Sequence, residues 1–318
     1  MNDLLKNHFF WKYVIRYTSI FSKSTDALYD EVKTLVKFSY AAILLVMFVH
    51  LFNVHEVATS KLMDPLWPMI FLNQDNLQFT TFFLQISLVL STVLVIIRST
   101  QFLRIYVFIT YFLYAALLSS FGKINHSLHF ILIPLFCFAL MPNERKTLFK
   151  EKVILMYLSA KFFLLLAYSL TGFWKLFWGV IELFTKDVSL FSTLSFRNIL
   201  VLQFEVAPMT IFGSWFLEHY IIGWLLYLSV IYLELFSIAI FFKPNLYKIW
   251  GAALITLNLG LALIMNINFY PAVCAIGVLL LLSPFNKETT VSKTITSLPG
   301  IDWLMYFFKK RTSQLKDS

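Results

Sequence analysis

The sequence predicts an all-α polytopic membrane bundle of about eight helices, and three observations predict it. Hydrophobic residues make up 59% of the 318 and charged residues only 14%, whereas a soluble domain carries roughly 25% charged residues. Uncharged runs recur at spanning length, the clearest from Phe79 to Ile97 and from Ile105 to Phe121. Lys and Arg collect in alternate connections, as the positive-inside pattern requires. Aromatic residues are abundant, with 35 Phe, 15 Tyr and 8 Trp, which suits lipid-facing helices and interfacial belts.

Taken in order, residues 1–33 read as a cytoplasmic N-terminal segment. They carry Lys6, Lys12, Arg16, Lys23, Asp26 and Asp30 without an apolar core, so no cleaved signal peptide is expected. A transmembrane domain follows over 34–284. A span needs about 20 apolar residues at ~1.5 Å of rise each, and runs near 34–54, 79–97, 103–121, 127–142, 153–174, 219–242, 248–265 and 268–284 approach that length. The fourth is short and carries Pro134, which predicts a kink. Residues 198–218 are apolar but contain Gln203, Glu205 and Pro208. A ninth span there would reverse those that follow, so a re-entrant or interfacial segment is expected. Asp64-Pro65-Leu66-Trp67-Pro68 also reads as interfacial. Residues 285–318 form a basic tail, with Trp303–Phe308 ahead of Lys309-Lys310-Arg311 as an amphipathic anchor.

Charge sets the expected orientation. With both termini cytoplasmic, Arg98, Arg104, Arg145, Lys146, Lys150, Lys152, Lys243 and Lys248 fall in inner connections. Only Lys61, Lys123, Lys175, Lys186 and Arg197 fall outside, and Lys161 stays within a span. The expected setting is a multi-pass protein of the cell membrane, with the lipid bilayer as its first partner. The net charge of +9 is explained by this tethering and not by nucleic acid. Cys137 and Cys274 lie inside predicted spans, so neither disulfides nor thiolate metal sites are expected. His126 and His129, or His50 and His55, lack the spacing of a metal motif. Phosphate-binding glycine loops and nucleophile elbows are absent from the sequence.

Charges within a bilayer usually point inward or pair. Lys161 lies nine residues beyond Lys152 and Glu234 nine before Lys243. Equal offsets predict equal depth, roughly 13 Å at helical rise, and hence a structural Lys161–Glu234 ion pair. Lys161, Tyr168 and Lys175 recur every seven residues, as do Tyr220, Tyr227 and Glu234. Two such stripes would line one interhelical cleft, or the tyrosines belong to ordinary packing and the interfacial belt. Asn258, mid-span, is placed to hydrogen-bond across the bundle. Lys175 stands between Trp174 and Trp178 just past Gly172. A partly desolvated lysine there is a candidate base, and an anchoring role for Lys and Trp at a helix end is the plainer alternative. His126, at the mouth of the fourth span, is a candidate donor or acceptor at the same face.

These strings carry a resemblance. Asn125-His126-Ser127, Leu140-Met141-Pro142-Asn143 and Tyr168-Ser169-Leu170-Thr171-Gly172-Phe173-Trp174-Lys175-Leu176 resemble segments of the horizontally transferred transmembrane domain family, to which the membrane part of vitamin K-dependent gamma-carboxylase belongs. Ser169 stands where the family carries an aromatic residue. The resemblance covers roughly 34–284 and implies a carboxylase-like membrane enzyme. It implies Lys175 as the base that deprotonates reduced vitamin K or another quinone, with His126 assisting and O₂ and CO₂ as co-reactants. Asn125, Tyr168 and Trp174 become candidate substrate contacts, and a secreted peptide or protein becomes the expected substrate. Shorter relatives are associated with maturing secreted peptides. A non-catalytic partner in maturation, export or immunity is therefore the second expectation.

Overall fold

A computed structural model describes residues 23–52, 63–121, 126–144, 148–287 and 290–301. Among these every regular element is helical. The helices are α1 (Thr25–Phe52), α2 (Gln74–Ile97), α3 (Gln101–Leu118), α4 (His126–Ala139), α5 (Phe149–Thr185), α6 (Leu194–Val206), α7 (Ile211–Glu218), α8 (Tyr220–Leu235), α9 (Ser237–Ile240), α10 (Tyr247–Met265), α11 (Tyr270–Ile276) and α12 (Val291–Thr296). Five regions are long and apolar enough to cross a membrane: α1, α2, α3, α5 and α10 with the short turn before it. The bent pair α7–α8 makes a sixth if it is one broken span.

Three of the eight expected spans therefore differ from expectation. The run 127–142 yields only the 14 residues of α4, with Pro134 inside it. The run 268–284 yields α11 followed by a π-helical turn, Gly277–Leu281. The run 219–242 breaks at Phe236 into α8 and α9. In the opposite direction, α5 passes through Lys175 and continues to Thr185, 37 residues in all. Nothing between Gly172 and Thr185 lacks a backbone N–H, so the ladder runs on. The C-terminal anchor at 303–311 lies outside the described residues.

The chain forms two bodies. Of the described residues, one comprises 25–164 and 267–282, the other 165–266, 283–287 and 290–301, together with 23 and 24. In the first, α2 shows most directly which solvent these helices suit. It buries Thr80, Thr81, Gln85, Ser91 and Thr92 and exposes Phe79, Phe82, Phe83, Leu90 and Ile97, with Phe79 72% exposed. A water-facing helix would carry that pattern the other way round. Hydrocarbon accepts the aromatic face, while Thr81 and Ser91 bond within their own helix, Ser91 Oγ donating to Leu88 O at 3.2 Å, and the buried Thr92 hydroxyl has no partner among the described residues. Thr81 Oγ1 donates to Leu77 O at 2.8 Å, and Gln85 Nε2 reaches Tyr114 Oη at 3.5 Å.

Arg104 corrects its assignment to an inner connection. It lies in the first turn of α3 and is 4% exposed. Its guanidinium donates to Phe138 O at 3.0 Å, Ser99 O at 2.9 Å, Ser99 Oγ at 2.8 Å and the carbonyls of Met141 and Pro142. The carbonyls left over where α4 ends thus meet a buried cation, the favourable sign for a helix C-terminus. A second anchor lies at the π turn, where Tyr157 Oη donates to Val278 O at 2.9 Å.

In the second body, α6 and α7 occupy the stretch expected to be re-entrant or interfacial. They close the end of α10. Thr210 Oγ1 donates to Ile264 O at 2.9 Å and accepts from Gly213 N at 2.8 Å, while Gln203 Nε2 donates to Met265 O at 3.1 Å. Asn266 then leaves α10 in the left-handed conformation, a common helix stop. The joining turn presents Val206, Met209, Ile211 and Phe212 outward, Ile211 at 87%. At His219 the chain bends by 107° into α8, with its imidazole stacked on Trp215.

Candidate functional site

The site grows from a three-residue rhythm on α5. Ser169, Gly172 and Lys175 lie three apart and so occupy adjacent positions on one side of the helix. All three meet the break between α8 and α9. Ser169 Oγ donates to Leu235 O at 2.9 Å and accepts from Ile238 N at 2.7 Å. One hydroxyl thereby serves a carbonyl and an amide that the interrupted helix leaves without regular partners. Gly172 permits the approach: a Cβ there would meet the backbone nitrogen of Leu235, and would lie 2.9 Å from the Glu234 carbonyl carbon and Cβ. With the backbones this close, Lys175 Nζ reaches both carboxylate oxygens of Glu234, at 2.7 and 2.8 Å.

The cation beside Glu234 is therefore Lys175, where the offset argument expected Lys161. That argument treated 219–242 as one continuous span and closed the fifth span at Lys175. The break at Phe236 and the continuation of α5 remove both premises. Lys161 belongs to the first body, fully buried, with its ammonium 5.6 Å from the Tyr157 ring centroid. The bottom of the cleft is neutral: Asn258 Nδ2 donates to Tyr168 Oη at 3.0 Å and to Leu254 O at 2.7 Å.

Burial is unequal across the pair. The Glu234 side chain is 6% exposed and that of Lys175 32%. Helical geometry gives the reason. At 100° per residue Gly172 and Gly179 point into the packed face, Lys175 stands at its edge, and Trp178 then Trp174 follow round the helix on the open side. Both tryptophans are exposed, and Trp174 contacts Trp178 edge-on at 5.6 Å and stacks near Phe177 at 6.0 Å. An ammonium held by a buried carboxylate thus stands on the same helix as an exposed cluster of aromatic rings, in which Trp174 lies nearly parallel to Phe177 and Trp178 edge-on to both. Such an edge can hold or move a proton beside an apolar ring.

Of the residues expected at a site, Lys175, Tyr168, Trp174 and Glu234 lie in the second body. His126 begins α4 in the first body, exposed, its ring 5.4 Å from that of His129. Asn125 lies outside the described residues. Ser169 and Gly172 escaped the sequence reading as site residues. The signal was present in the spacing Ser-x-x-Gly-x-x-Lys, which places a small hydroxyl, a bare backbone and a cation along one contact line.

Fold and site together define a helical protein in which five apolar helices have the length to cross a membrane, with a charged pair between one of them, α5, and the shorter α8. No protein-family model, no curated protein and no solved structure matches the chain.

Proposed function

We propose that the chain is a carboxylase-like enzyme of the cell membrane in which Lys175 and Glu234 handle a proton for a quinone-type co-substrate. The observation that carries this reading is the pair itself: a lysine at the edge of an aromatic, open face, bonded through both oxygens to a nearly buried carboxylate. The residues fit a reduced quinone, since Trp174 and Trp178 offer stacking surface for a flat ring and Lys175 offers a polar group at its rim. A reduced quinone supplies, when bound, an acidic hydroxyl and the reducing equivalents that the family resemblance assigns to it. Glu234 takes the ammonium proton, which leaves Lys175 Nζ with the lone pair a base needs. His126 keeps, by resemblance alone, the role of an assisting donor, and a secreted peptide remains the expected recipient of CO₂.

One observation favours a second reading. Gly172, Ser169 and the ion pair make a close interhelical clasp, and a clasp serves a non-catalytic partner in peptide maturation, export or immunity equally well. Turnover of a reduced naphthoquinone by protein in nanodiscs separates the two, comparing wild type with Lys175→Ala at matched folding. Epoxide formed by wild type and lost in the variant supports the enzyme. Equal signals from both, or none from either, favour the partner.

A further inference from the structure

The seam between α5 and α8 is closed directly on one side of the pair and by a third segment on the other. As α5 advances from Ser169 through Gly172 to Lys175, its contacts retreat from Ile238 to Glu234, so α5 and α8 run antiparallel. Gly179 lies seven residues beyond Gly172 and faces nearly the same way. It stands four beyond Lys175, about 6 Å further along α5 at helical rise. At that level the nearest neighbour is Leu190 and not α8. A Cβ on Gly179 would lie 2.5 Å from Leu190 Cβ and 2.6 Å from Leu190 Cδ2. The carbonyl of the same Leu190 accepts from Trp224 Nε1 of α8 at 3.1 Å. One residue therefore bridges the two helices, its side chain in the Gly179 notch and its backbone on Trp224. The connection from α5 to α6 is built to hold it there. Leu190 O also accepts from Ser195 Oγ at 3.2 Å, Ser192 N donates to Ser189 O at 2.9 Å, and Ser189 Oγ accepts from Phe191 N at 3.3 Å. Phe196 pins the start of α6 to α8, since a Cβ on Gly223 would meet its ring. Leu190 and Phe196 are both buried.

We propose that Leu190 seals the seam beyond the Lys175–Glu234 pair against water, so that the ligand of this pair is one dissolved in the bilayer, reaching Lys175 across the exposed apolar side of α5. The proposal rests on the reading of that pair as the reactive one. Along α5 the pair is bounded by the backbone contact at Gly172 on one side and by Leu190 on the other. The opening that remains is at Lys175, whose side chain is 32% exposed against 6% for Glu234. Leu170, Phe173, Trp174, Phe177 and Trp178, on the same stretch of α5, are all exposed. A run of five exposed apolar side chains on one helix suits hydrocarbon and not water. Leu190 touches no reacting group. It is a positioning residue that decides from which solvent the pair is reached.

A matched pair of amine reagents, applied to the full chain in nanodiscs, tests this without any co-substrate: a lipid-soluble succinimidyl ester and its sulfonated, water-confined counterpart. Both acylate by the same chemistry, so the ratio of their rates reports access alone. Peptide mass spectrometry reads modification at Lys175 and at Lys186, whose side chain is 63% exposed. In wild type the preference for the lipid-soluble ester should be greater at Lys175 than at Lys186 on the order of tenfold or more, because a charged sulfonate enters a bilayer poorly. Leu190→Ala empties the Gly179 notch, and Gly179→Ala displaces Leu190 from it. Each should raise reaction of the sulfonated ester at Lys175 severalfold and shrink that preference. Lys175 left unmodified by the lipid-soluble ester, a preference equal at the two lysines, or one unmoved in both variants would overturn the seal. Should one variant unfold, the other carries the test alone. Acylation needs no quinone, so failure of quinone turnover would leave these ratios untouched, and the two readings fail separately.

Discussion

Gly172→Ala has a sign that depends on whether α5 and α8 touch as described. In an isolated helix the substitution stabilises by about 1 kcal/mol, because glycine is the weaker helix former. Here the new methyl would meet the Leu235 backbone nitrogen and stand 2.9 Å from two atoms of Glu234. These are backbone and Cβ positions that cannot swing aside. Overpacking of this kind costs roughly 1–3 kcal/mol, and the clasp on Ser169 and Lys175 opposes any widening. The expected net change is a loss of up to about 2 kcal/mol once the helix gain is subtracted. Gly260→Ala is the internal control: it lies in α10, and its added Cβ would meet nothing within 4 Å, so it should be neutral or stabilising by up to about 1 kcal/mol. Thermal unfolding in one detergent reads both, with Gly172→Ala shifted downward and Gly260→Ala level or upward. A stabilised Gly172→Ala would refute the close approach.

Two further outcomes follow from the first body. Arg104→Lys keeps the charge but loses the fork that serves the carbonyls of Phe138, Met141 and Pro142, and should cost roughly 1–3 kcal/mol in detergent unfolding. Wild-type stability would mean that those carbonyls find other partners. At the end of α4, Glu144 accepts from Lys33 Nζ at 3.1 Å. That hydrogen bond, then the Lys33 charge, holds its carboxyl below the ordinary value, with a smaller contribution from Tyr29. A lowered carboxyl adds stability above its unfolded value, about 4.3, and the gain disappears as pH falls through the lowered value. Because Glu144 is largely exposed, the effect is small. Glu144→Gln should flatten the acid limb of the stability curve between those two values, and an unchanged limb would show that the contact contributes nothing.

The sequence made the helical, lipid-facing character legible because composition and run length report burial in hydrocarbon directly. Phe79–Ile97 is uncharged and lies wholly within α2, which shares its end at Ile97 and begins five residues earlier at Gln74. Helix ends were less legible. The shortness of α4 is legible in its short apolar run, but the break after Leu235 has no proline or glycine to announce it, and it depends on Ser169 from a segment 69 residues away. That break misled the pairing of Glu234, since counting residues from Lys243 assumes a continuous helix. Arg104 reads in the sequence as part of an inner connection because the sequence shows its position at the start of a span and not the carbonyls at the end of α4 that accept from it. The seven-residue stripes on α5 and α8 were visible, and the register that couples them came only from Gly172.

The most direct test of the account is the exchange of charges between Lys175 and Glu234. Lys175→Glu and Glu234→Lys each place like charges together in the seam and should each destabilise by several kcal/mol, on the scale of about 3–5 kcal/mol for a broken buried pair. The double variant should recover most of that loss in detergent unfolding while showing no reduced-quinone turnover, because the amine has moved away from Trp174 and Trp178. A double variant no more stable than the worse single one would contradict the pair on which site and proposed function are built.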